Sequence, residues 1–113
     1  SADSGISPFC CYGQFSRLAG ADAAIFTSFG GRFPFTEEVC RKICDGTETE
    51  MGGLRSIFPV PSGGMKWQLF KKMVQVYGPD AIFLVGGALL TESDDLTANM
   101  HFYFEKLNEA VNK

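Results

Sequence analysis

Histidine is almost missing from this chain: His101 is the only one, and tryptophan also occurs once. The four cysteines fall as Cys10-Cys11 and Cys40/Cys44. Adjacent cysteines rarely bridge, and neither pair has zinc-ligand spacing. Reduced, partly buried thiols are expected, and with them a cytoplasmic protein without a metal site of its own. No basic stripe is present. The net charge of −3 and pI near 5.0 argue against a nucleic-acid partner. Lys66, Lys71 and Lys72 sit at helical spacing and suit a solvated helix face. No apolar run is long enough to span a membrane. The chain does not open on a basic stretch followed by an apolar core, so no signal peptide is expected.

Aromatic residues are abundant. Phe occurs 11 times in 113 residues, and 45% of the chain is hydrophobic. That composition excludes a disordered chain and allows one small domain at most. So heavy an apolar load implies an aromatic core, or a surface meant to be covered.

Ser7-Pro8 has the form of an N-cap followed by proline at the first helical position. Cys11, Phe15, Leu18 and Ala19 then recur at helical spacing, up to Gly20. The run 23–27 is apolar, of strand length and without alternation, which suits a strand buried on both faces. A loop, 29–34, precedes a helix capped by Thr36, with Glu37 and Glu38 favoured by the macrodipole in its first turn. Val39, Ile43 and the two cysteines mark its inner side. The run 56–60 is the next strand. Pro59 lacks a ladder donor, so an edge or bulged position is expected. Trp67, Phe70, Val74 and Tyr77 form a helical stripe ended by Gly78-Pro79. The run 81–85 is a third buried strand. Ser93 is the expected cap of a last helix whose apolar face is Leu96, Met100, Phe104, Leu107 and Val111.

This alternation predicts an α/β fold of parallel βα units, with helices outside and the three strands side by side. A barrel of this kind needs eight units and about 250 residues. The chain is therefore expected to be a fragment of such a barrel, residues 1–113 forming one portion, or to complete itself by self-association.

A Gly-Gly pair follows each strand: Gly30-Gly31, Gly63-Gly64 and Gly86-Gly87. One such pair is accounted for by a tight βα turn. Three at the same place in the unit point to a shared face where backbone amides meet an anion. That face is where βα enzymes hold their active sites. Ser62 adds a hydroxyl, and Arg32 a charged fork suited to phosphate or carboxylate.

These residues carry a family resemblance. Phe58-Pro59-Val60-Pro61-Ser62-Gly63-Gly64-Met65 is similar to the strand-seven pattern P-V-A-S-G-G of the RuBisCO large-subunit barrel and the RuBisCO-like proteins. Arg17-Leu18-Ala19-Gly20-Ala21-Asp22 resembles the family's approach to strand six. Gly31-Arg32-Phe33 falls where the family has the mobile-loop Gly-Lys-Leu, and Val85-Gly86-Gly87-Ala88 resembles the end of strand eight. The resemblance implies strands six to eight and helices five to eight of a TIM (β/α)8 barrel. It assigns Ser62, Gly63, Gly64, Gly86 and Gly87 to substrate and phosphate binding. Arg32 stands in for the catalytic loop lysine.

By this alignment Ile25 replaces the family's phosphate-contacting histidine. That change and Arg32 both point away from CO₂ fixation and towards a RuBisCO-like protein, with the branch acting on phosphorylated branched-sugar acids as one expectation. The resemblance implies a parent enzyme that enolises a phosphorylated keto-sugar or keto-acid with Mg²⁺, as isomerase, decarboxylase/transcarboxylase or carboxylase. The magnesium ligands lie on an earlier strand outside this chain, so the chain alone is expected to be inactive. A homodimer or larger assembly is implied. A metal-free phosphate-binding barrel isomerase or aldolase, and a non-catalytic self-associating βα module, remain as alternatives.

Overall fold

In the computed structural model, residues 5–31 and 33–112 are described. Arg32 lies outside the described residues. A helical segment comes first, π-wound over Phe9–Gln14 and continuing as α1 (Phe15–Leu18). Ser7 starts it as expected, its hydroxyl accepting the Cys10 N–H at 3.3 Å. The packed side, however, is Gly13 and Arg17, while Cys11, Phe15, Leu18 and Ala19 are exposed. The reason is close approach. A Cβ on Gly13 would lie 2.5 Å from the backbone of Gly46, so only glycines let the two helices meet here.

Strand β1 (Ala23–Thr27) runs parallel to β2 (Phe58–Ser62), with Ile25 opposite Val60 and Thr27 opposite Ser62. Between them lies α2 (Glu37–Glu48), whose cap Thr36 accepts the Val39 N–H at 3.2 Å. A 3-10 turn (Trp67–Leu69) leads into α3 (Phe70–Tyr77). Helices α2 and α3 cover one face of the sheet. Phe26, Phe29, Cys40, Ile43, Met73 and Tyr77 close the core there. The other face is open: Ile25 is 61% exposed and Leu84 48%. The expectation of burial on both faces of β1 is thus met on one face only within this chain.

Residues 81–85 lie beside β2 but form no regular ladder. Ile82 N–H reaches Pro59 O at 3.0 Å and Leu84 N–H reaches Pro61 O at 3.1 Å. The bond returning to Ile82 O is impossible, because its donor on β2 would be the nitrogen of Pro61, which carries no hydrogen. The two prolines therefore do not mark an edge. They sit on an inner strand, which bonds fully to β1 and accepts one-way from 81–85.

A short helix, α4 (Gly87–Leu90), precedes α5 (Leu96–Val111). The cap of α5 is Asp95, accepting the Ala98 N–H at 3.0 Å, rather than Ser93. Its packed side is Asn99 and Tyr103. Of the stripe expected to face inward, Leu107 packs partly against the core, while Leu96, Met100, Phe104 (59% exposed) and Val111 (58%) are turned outward. Periodicity locates an apolar stripe without saying which neighbour covers it. No helix among the described residues is long and apolar enough to cross a membrane.

Candidate functional site

The parallel order places the ends of β1, β2 and the 81–85 segment along one edge. At the end of β1, Ser28 N–H donates to Ser62 O at 2.8 Å, which locks the two strand ends together. The next turns touch glycine to glycine. A Cβ on Gly64 would lie 2.8 Å from Gly31 Cα, and one on Gly31 would lie 2.7 Å from Gly63 O. Gly63 (φ +75°) and Gly64 (φ +71°) are both left-handed, a conformation glycine adopts without steric cost. The structure therefore brings the first two glycine pairs into contact.

The third pair follows from the register. Leu84 bonds Pro61, and two residues beyond that bond stand Gly86 on one segment and Gly63 on the other. Gly86 and Gly87 are exposed, and open space surrounds the position of an added Cβ on either. Among the described residues, the N–H groups of Gly63, Gly64, Gly86 and Gly87 donate to no protein acceptor. Four unspent amides along one edge are what an oxyanion can use, since every backbone donor requires an acceptor from somewhere.

Ser62 stands at the same edge, half-buried, and its hydroxyl donates to Phe26 O at 2.9 Å. Its proton is thus engaged, while its lone pairs remain available. Thr27 lies opposite Ser62 in the ladder, and its methyl would lie 3.6 Å from a Cβ on Gly63. Thr27 was not foreseen as a neighbour of the site. Cross-strand register places it there, and no local motif announces it. Beneath the edge, Ile25 and Leu84 give the open face an apolar surface. Among the described residues, no three His, Cys, Asp or Glu side chains are placed to hold a metal ion.

A cavity of about 450 Å³ lies at the opposite edge of the sheet among Arg41, Asp45, Glu48 and Asp80. Three carboxylates and one guanidinium make it a poor host for a phosphate.

No family model matches the chain. It is similar to the 5-methylthioribulose-1-phosphate isomerase of Rhodospirillum rubrum, 43% identical over 92 residues, covering 81% of this chain and 25% of that protein. The ribulose bisphosphate carboxylase-like protein 1 of Rhodopseudomonas palustris is 40% identical over 92 residues, with the same coverage of 81% and 25%. The chain thus spans about a quarter of the length of these curated relatives. A solved structure of a rubisco-like protein from Alicyclobacillus acidocaldarius superimposes with a TM-score of 0.82 at 27% identity, covering 95% of this chain and 27% of that one.

Proposed function

From the premise that the chain belongs to the RuBisCO-like protein family, as part of its α/β barrel, we propose that residues 1–113 serve as the phosphate-binding C-terminal portion of an enolising enzyme. The observation that carries this is the row of unspent amides on Gly63, Gly64, Gly86 and Gly87, beside the fused turns at Gly31 and Gly64. Amides held by tight glycine turns cost no reorganisation when an anion arrives, which is the basis of electrostatic preorganisation. Ser62 accepts a substrate hydroxyl through its lone pairs, or donates once it releases Phe26 O. The resemblance gives Arg32 the role of the loop lysine, a charged fork suited to a developing negative charge.

The substrate class is a phosphorylated keto-sugar. The Rhodospirillum relative is named for a sugar phosphate, which turns this reading from the branched-sugar acids to a ketose phosphate. The resemblance puts the magnesium ligands on an earlier strand of the barrel. Any Mg²⁺ in the reaction is held by other parts of the enzyme, where it would stabilise the enediolate. This chain contributes position and charge complementarity. The four unpaired cysteines suit a reducing, cytoplasmic setting, and the family resemblance implies a dimer or larger assembly.

The test is proton exchange. The barrel carrying this chain is incubated in D₂O with a ketose 1-phosphate, and loss of the proton α to the carbonyl is followed by NMR. Exchange that requires Mg²⁺ supports enolisation. Exchange indifferent to chelation selects the metal-free barrel enzyme, and no exchange with any ketose phosphate refutes the assignment.

A further inference from the structure

Tyr77 and Ser28 form a buried pair behind the glycine turns. Ser28 is fully buried just after β1, and its hydroxyl lies 2.7 Å from the Tyr77 hydroxyl on α3. The Tyr77 ring packs on Phe26 at 5.7 Å and on Phe29 at 5.8 Å between centroids. On α2, the Cys40 thiol lies beside the Tyr77 hydroxyl and donates to Thr27 O at 3.6 Å. Three elements thus converge on the residue from which the Phe29–Gly31 turn departs. Ser28 also donates its N–H to Ser62 O. The hydroxyl pair is therefore one covalent step from the clamp between the strand ends, and three residues from the Gly31–Gly64 contact.

We infer that Tyr77 is a positioning residue for the phosphate site: its hydroxyl, through Ser28, seats the Phe29–Gly31 turn against Gly63-Gly64. The inference rests on the proposed phosphate site for its functional consequence, but the anchoring itself is independent of any ligand. Beyond the buried Phe29, the turn has few anchors of its own. Gly30 and Gly31 add no side chains, and glycine is the residue with most freedom to lose. A left-handed glycine turn holds one geometry only when its ends are fixed, and here one end is fixed by a side chain from another helix.

The pair lends itself to a discriminating test. Removing the Tyr77 hydroxyl leaves that of Ser28 buried and unsatisfied, and removing that of Ser28 leaves Tyr77 only the weak Cys40 thiol, whereas removing both leaves no orphaned hydroxyl, and stability largely returns. The variants Tyr77→Phe, Ser28→Ala and the double variant are made in the barrel carrying this chain. Thermal midpoint, amide exchange at 29–31, and affinity for inorganic phosphate are measured on each. Both single variants should lower the midpoint and speed exchange at 29–31 by about tenfold, the effect of one lost buried hydrogen bond on local opening. In the double variant the midpoint should recover, while fast exchange at 29–31 and weakened phosphate binding persist. Recovery of all three in the double variant would reduce the pair to a stability element and overturn the inference, as would exchange unchanged in both single variants. Absence of phosphate binding in the unsubstituted protein would overturn the proposed function while leaving the exchange result to decide the anchor.

Discussion

Gly64→Ala tests the candidate site most directly, because two separable costs fall on it. The first is conformational. Gly64 has φ of +71°, and a residue with a Cβ is disfavoured there by ~1–2 kcal/mol. The second is steric. The new Cβ would lie 2.8 Å from Gly31 Cα, a backbone atom that cannot rotate away. Relieving that overlap separates the two turns and shifts the amides of Gly63 and Gly64. A hydrogen bond to a charged group is worth ~1.5–3 kcal/mol, so misaligning one or two of them weakens phosphate binding by about 10–100-fold. Gly20→Ala is the matched control. Gly20 has φ of +87°, yet nothing lies within 4 Å of its Cβ position. It carries the conformational cost without the steric one, at a turn on the far edge of the sheet. Calorimetric titration with inorganic phosphate and a thermal melt are run on both. Loss of affinity in Gly64→Ala alone is the expected result. Equal affinity in Gly64→Ala and the unsubstituted protein would refute the placement of the anion, and equal loss in both variants would refute its dependence on the glycine contact.

Three further outcomes follow from the packing. Arg17→Lys should lower stability by ~2–4 kcal/mol in urea unfolding, because the fork donates to the backbone carbonyls of Gly46, Thr49, Leu54 and Arg55 while an ammonium cannot span them. Gly46→Ala should cost ~1–3 kcal/mol or more, since its Cβ would strike the Phe9 carbonyl and part α2 from the first helix; full stability in this variant would contradict the glycine contact. Iodoacetamide should label exposed Cys11 before Cys40 or Cys44, because burial raises both inner thiols, that of Cys44 to about 12. The unfolded Cys44 thiol ionises near 9.0, so the folded state holds the proton more tightly between 9.0 and about 12. Stability should therefore fall as pH rises above 9.0, and a Cys44→Ala variant should lose part of that slope.

Local chemistry was well legible in the sequence where one residue acts on its immediate neighbours. Ala23–Thr27 stands where its apolar run placed it, and Thr36 caps α2. Gly30, Gly63 and Gly64 mark their turns because no other residue takes φ between +71° and +79° so readily. The resemblance to RuBisCO-like proteins rests on the same local words, above all Pro-Val-Pro-Ser-Gly-Gly. Strand β2 was misplaced by two residues, 56–60 against Phe58–Ser62, because its prolines mask the usual strand composition.

What required tertiary structure was each question of facing and partnership. Helix α5 shows most of its apolar stripe to solvent and packs chiefly through Asn99 and Tyr103, with Leu107 partly covered. Arg17 has the sequence appearance of a surface residue and is 4% exposed, holding the Gly46 carbonyl of α2 and three carbonyls from the connection that follows it. Tyr77 is one member of an apolar stripe until Ser28 is brought to its hydroxyl. Period and propensity depend on neighbours within a few residues, and the sequence by itself determined the βα order and the glycine turns. Which side of a helix is covered, which glycines meet, and which hydroxyls pair depend on atoms tens of residues apart, and only their packing in space decided them.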